Sequence, residues 1–363
     1  ELHERLVGSE MCIRDRINLD GCLSWSRMKQ RVLRKATAAL TRAFGMASMS
    51  GAFCVKSAIQ LWECMIRPQI EYGAEVWSDC LVWREAEALQ RRAAKRILRV
   101  SDHTSNEFLL SELGWWSMQS RFMYLRVRFW HHLLSLPASR LAYRVYRLSR
   151  AEYEKQQELG MKISRNRILW CASTHRVLKE LKLEVDWLTE TNNPLKWRRE
   201  LKRTVQERDT FVWRRSMCDK KGEVKSKLRL YHSIKTDVKL ENYLLRQDWF
   251  WARSQLARLR SGTHCLRVET GRHERPPLDR EERVCMRCGS GEVDDESHYM
   301  LRCGAFNEER KHMVEAITAV TKQRFPKQND ILSMRVLIGD QMTAEVESIV
   351  LSLIHISEPT RRS

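Results

Sequence analysis

The 363-residue sequence predicts a mainly α-helical fold, with a helical first part, an extended helical middle and a small Cys/His module near the C-terminal end. Three observations predict it. Glycine (14) and proline (7) are scarce for this length, against usual shares of roughly 7% and 5%, so few positions can turn or break a helix. Apolar residues recur three and four positions apart through most of the chain, the period of a helix with one buried face. Near the end, Cys285, Cys288, His298 and Cys303 fall in the pattern C-x2-C-x9-H-x4-C.

Composition narrows the function classes. Hydrophobic residues make up 43% and charged residues 31%, which allows a sizeable core and argues against disorder. Lys and Arg number 65 against 46 Asp and Glu, a net charge of +19 that points to polyanionic partners. No apolar run approaches the ~18 residues of a membrane span, so a polytopic membrane protein is excluded and no membrane partner is expected. The 11 cysteines, mostly irregularly spaced, read as reduced thiols of an intracellular protein of nucleus or cytoplasm rather than a secreted disulfide framework.

The two ends of the chain are related to each other. Leu6-Val-Gly-Ser-Glu-Met-Cys-Ile-Arg-Asp-Arg16 and Leu351-Ser-Leu-Ile-His-Ile-Ser-Glu-Pro-Thr-Arg361 can be encoded by one DNA sequence read from opposite strands. That DNA resembles the adapter which a transposase joins to fragments in sequencing-library preparation; a terminal inverted repeat of a mobile element is the alternative. Residues 1–16 and 351–363 are therefore expected to be non-biological, and the interior to be a reading frame cut at both ends. The two ends carry five basic and five acidic side chains, so the +19 belongs to the interior.

The interior begins at residues 17–25 (INLDGCLSW), which alternate around Asp20-Gly21 like a strand ending in a turn. Residues 26–44 place Met28, Val32, Leu33, Ala36, Ala39, Leu40 and Ala43 on one helical stripe, with Arg27, Lys29, Arg31, Arg34 and Lys35 around the rest. A second helix is expected over 53–66, stopping before Pro68. Residues 71–77 read as a turn or short extended piece, and a third helix as 83–99. Thr104 with Glu107 predicts a capping box opening a short helix that Gly114 closes. A helix then runs to about 135 and ends at Pro137. From 138 to 270 a helical connector is expected, broken near Gly160, Asn192-Asn193-Pro194, Gly222 and Gly262. Residues 271–283 hold the single Pro-Pro pair and read as a linker, 284–312 as the Cys/His module, and 313–350 as one or two helices.

Four constellations carry chemistry. In the first, the Cys285/Cys288 pair presents two thiolates to one ion, and His298 and Cys303 complete a tetrahedral, closed and therefore structural zinc site. The competing reading is unrelated thiols; His264, Cys265 and His273 are spare candidates. Second, Arg91, Arg92, Lys95, Arg96 and Arg99 lie on overlapping faces of one helix and can neutralise phosphates, although Glu85 and Glu87 one turn earlier also fit a plain solvated surface. Arg287 and Arg302, inside the zinc module, add to that cationic surface. Third, Trp115, Trp116, Phe122, Tyr124, Phe129 and Trp130 could stack on bases, but aromatics at helical spacing read better as core. Fourth, Asp294-Asp295 invites comparison with two-metal carboxylates, yet sits between the zinc ligands with no third carboxylate positioned by a sheet. The sequence presents no catalytic residue and no site for a small-molecule substrate; His131-His132 has no catalytic spacing.

Taken in order, INLDGCLSW (17–25), IRPQIEYGAEVW (66–77), ALQRRAAKRIL (88–98), TSNEFLLSELGW (104–115) and RFMYLRVRFWHHLLSLP (121–137) resemble the segment after the catalytic palm of reverse transcriptases of non-LTR, LINE-like retrotransposons. FWARSQLARLRSGTHCLRVETGRHERPP (250–277) and VCMRCGSGEVDDESHYMLRC (284–303) resemble the CCHC-bearing C-terminal region of the same polyproteins; residues 150–240 carry little likeness. The resemblance implies a fragment of an RNA-directed DNA polymerase. Residues 17–25 would end a palm strand and 26–137 would be a thumb-like domain tracking the template-primer duplex. The CCHC module would meet RNA or DNA, the element transcript or its target. It implies magnesium only for a palm upstream of Ile17, so this fragment is expected to be inactive. A host-derived nucleic-acid binder and a non-functional relic are the rival readings.

Overall fold

The computed structural model describes residues 25–49, 54–160, 170–183, 194–246, 250–323, 325–326 and 329–356. The expected fold class holds: sixteen α-helices and three isolated β-bridges are present among these residues. No helix among them is long and apolar enough to cross a membrane. Of the strand end expected at 17–25 only Trp25, in a bend, is among the described residues, and the N-terminal end sequence lies outside them.

The chain forms two compact units that do not follow its order. The first gathers residues 1–53, 58–90 and 116–211; the second gathers 54–57, 91–115 and 212–363.

In the first unit, α1 (Ser26–Met49) buries Met28, Val32, Ala36, Ala39, Leu40 and Phe44. It packs on a π-helical turn at Trp62–Ile66 and on α3 (Arg67–Glu71), where Trp62, Ile66 and Ile70 are fully buried. Here the expected stop before Pro68 is corrected. Helix α2 (Val55–Leu61) passes into the π turn, the Arg67 N–H reaches back to the Trp62 carbonyl, and Pro68 takes the first turn of α3, where a missing N–H costs no bond. The turn expected at 71–77 occupies Tyr72–Gly73, with Gly73 at φ 67°, and then α4 (Ala74–Trp77) forms. Only residues 84–90 of helix α5 (Arg84–Leu98) belong to this unit, and α7 (Met118–Leu134) is capped by Ser117, whose hydroxyl accepts from the Ser120 N–H. Trp77, Trp83 and Phe122 meet at centroid distances of 5.6–6.2 Å, and Trp130 is fully buried. Phe122 and Trp130 are thus core, while Trp116, Tyr124 and Phe129 are half-buried. Helices α8 (Leu141–Glu158) and α9 (Trp170–Glu180) pack on α7, and α10 (Pro194–Ser216) buries Leu201 and Val205.

The second unit is built round a buried ionic network. Helix α6 (Asn106–Glu112) has no capping box: Ser105 is its N-cap without a side-chain bond, the buried Thr104 hydroxyl finds no partner, and Glu107 pairs with Lys225 at 2.7 Å instead. A nearby lysine outcompetes the local cap for the carboxylate. At the other end Gly114 (φ 65°) closes α6 as expected, and a Cβ there would meet the Leu240 backbone N at 2.5 Å. Glu112 accepts from Tyr231 (2.8 Å), Tyr243 (2.7 Å) and Arg260 (2.7 Å), all fully buried. Lys235 pairs with Glu241 beside them. Arg260 comes from α12 (Phe250–Ser261), which the short α13 (Arg267–Thr270) follows, and Tyr231 and Lys235 from α11 (Arg229–Ile234) and the residue after it. Helices α14 (Asn307–Thr321), α15 (Asp330–Ile338) and α16 (Ala344–Ile356) close the core with Ile317, Leu337, Val346 and Val350. Helix α16 runs past residue 350, and Leu351, the first residue of the C-terminal end sequence, is buried on it.

Candidate metal centre and cationic faces

Local turn chemistry brings the four metal-ligand candidates together. A bridge between Val284 and Val293, with the Cys285 N–H donating to the Glu292 carbonyl (2.8 Å), makes a small hairpin. Gly289 (φ 66°) and Gly291 (φ 75°) supply the left-handed backbone that folds its tip and turns Cys288 back toward Cys285. A π-helical turn over His298–Arg302 then places Cys303, whose N–H reaches the His298 carbonyl at 2.7 Å.

Cys285, His298 and Cys303 are buried and Cys288 is half-buried, and all four donor atoms lie within 4.8 Å of one another. Cys285 Sγ and Cys303 Sγ are 3.8 Å apart, and Cys288 Sγ and His298 Nε2 3.4 Å. A tetrahedron with ~2.3 Å metal–sulfur and ~2.05 Å metal–nitrogen bonds has edges of about 3.8 Å and 3.6 Å, so the set can hold one metal ion. Hydrogen bonding with Ser290 draws the Cys288 thiol down to about 6, while burial pushes Cys303 up to about 11. The spare candidates stay outside this set: His264 Nε2 is 3.0 Å from Glu296.

The paired aspartates are structural. Asp294 accepts the Arg267 N–H (2.9 Å) and pairs with Arg287 (3.1 Å); Asp295 accepts the His298 N–H (2.9 Å) and pairs with Arg280 (2.8 Å). Arg302 is likewise committed, to Glu292 at 2.9 Å and to Asp330. Both arginines named from the sequence as phosphate ligands of the module therefore face carboxylates.

On α5, Arg92 and Arg96 are exposed and Arg91 half-buried, while Lys95 is held by the Asp102 carbonyl at 2.6 Å. A second cationic face, not singled out from the sequence as a binding site, lies on α1. This helix carries six basic residues and no acidic one. At 100° per residue Arg27, Arg31, Arg34, Lys35 and Arg42 share an arc of about 100°, opposite the buried apolar stripe, over about 22 Å of axis. Arg27, Arg34, Lys35 and Arg42 are exposed and make no ion pair among the described residues; Lys29, off the arc, faces Asp79 at 3.5 Å. Helical phase combined with the lack of any Asp or Glu was the sequence signal for it. No family model, curated protein or solved structure matches the chain.

Proposed function

We propose that this chain is the nucleic-acid-binding part of a LINE-like reverse-transcriptase polyprotein, in which a zinc ion holds the Cys285/Cys288/His298/Cys303 module together. The observation that carries the binding reading is the α1 face: a row of exposed cations without a carboxylate can neutralise successive phosphates, and each contact releases counterions. The family part rests on the order of the motifs between 17 and 303. Zinc is favoured over other divalent ions because three thiolates and one imidazole at tetrahedral spacing suit a borderline-soft ion.

Binding of a mixed-sequence duplex is expected to weaken steeply with salt. Replacing Arg27, Arg34, Lys35 and Arg42 together by Gln should flatten the slope of log affinity against log salt by up to about 3.6, and an unchanged slope would sink the reading. Metal analysis is expected to find one zinc per chain and far less in Cys288→Ser; equal content in the two would remove the zinc site. Sequencing the DNA upstream of residue 17 tests the family: an in-frame palm with paired aspartates is expected.

A further inference from the structure

We infer that Glu292 is the positioning residue of the metal centre, setting the ring nitrogen that His298 offers to the ion; this rests on the zinc reading above. His298 can bind an ion through Nε2 only if that atom carries its lone pair and the ring is held edge-on to the three sulfurs. The contacts of the ring point to the first. His298 Nδ1 lies 3.2 Å from Glu292 Oε2, and a carboxylate accepts, so the ring proton resides on Nδ1 and Nε2 is left bare, 3.4 Å from Cys288 Sγ. Donation to a carboxylate also makes the far nitrogen a stronger ligand.

Glu292 is itself restrained at both ends. Its carbonyl accepts from the N–H of Cys285, so the hairpin that places the first thiolate also places this carboxylate. The same oxygen that faces His298 accepts from Arg302 Nε at 2.9 Å, and Arg302 is tied to Asp330 at the start of α15. A chain of contacts Asp330–Arg302–Glu292–His298 thereby links the metal ligand to a helix beyond the module. Although Glu292 is half exposed, both of its polar partners converge on one oxygen, an arrangement that a solvated loop acid does not need.

The test uses the full chain and zinc in competition with a chromophoric chelator. Glu292→Ala is expected to weaken zinc binding about 10- to 100-fold, and Glu292→Gln to recover part of the loss, because its amide oxygen still accepts from Nδ1–H. Arg302→Met should weaken binding in the same direction by less. With cobalt in place of zinc, the visible absorption of the tetrahedral site should change in Glu292→Ala, while the thermal unfolding of the metal-free chain should not. Equal zinc affinity in wild type and Glu292→Ala, or a weakening matched by an equal loss of metal-free stability, would overturn the assignment. Absence of zinc from the wild type itself would overturn the reading of the site instead.

Discussion

The arginines beside the metal ligands and those along α1 look alike in the sequence, and the structure gives them opposite surroundings. Arg287 and Arg302 each face carboxylates of their own module, whereas Arg27, Arg34 and Arg42 project from a helix that has none. Charge counted along a chain therefore overstates the cationic surface where acids are folded back onto it. The module's arginines pair within their own surroundings, while the exposed cations of α1 stay without an acid on their own helix.

Arg260 is the extreme of the paired class, and it offers the largest test. Fully buried against Glu112, it should cost about 3–5 kcal/mol when changed to Met, because Glu112 would lose its direct ion pair in the core and keep only Lys235, itself paired with Glu241, as a nearby cation. Arg34→Met, on the exposed row, should stay within about 0.5 kcal/mol. Urea unfolding of the two variants measures both, and similar losses would erase the distinction between paired and unpaired arginines.

Acid sharpens the same comparison. Burial works against ionisation of Glu112, but Arg260 and Lys235 outweigh it and hold the carboxyl below its usual range. A group with a lowered folded-state pKa adds stability that is fully present above the unfolded value, about 4.3, and is lost as the pH falls through the folded one. Wild-type stability should therefore drop below about pH 4 more steeply than that of Glu112→Gln, as followed by circular dichroism. Parallel curves would show that the network adds no acid dependence.

The smallest expected effect is a null one. Changing Arg287 and Arg302 to Gln together should leave the salt dependence of duplex binding nearly as it was, since each cation is already paired with a carboxylate of the folded chain. A slope reduced as much as by the α1 substitutions would place the binding surface on the module after all.

The departures from the sequence reading share a cause. The helix stop before Pro68 follows from proline in a regular α-helix, and the π turn at Trp62–Ile66 removed the need for that bond. Thr104 and Glu107 have capping-box spacing, but Lys225, more than a hundred residues away in sequence, claims the carboxylate. Glu292 carries no sequence signal, because its spacing to His298 is that of any loop acid, and only the hairpin turns it onto the ring.

The sequence by itself determined what local chemistry decides: helices from 3.6-residue periodicity, chain breaks where Gly114, Gly160, Gly222 and Gly262 take positive φ, and the four Cys/His side chains that could hold a metal ion, whose spacing lies within one short loop. The tertiary structure alone decided which charges are satisfied. Glu112 and Arg260 stand far apart in the chain, and nothing in their neighbourhoods announces a buried pair. An ionic partner is chosen by packing of distant segments, where desolvation makes pairing obligatory, and periodicity along the chain carries no record of that choice.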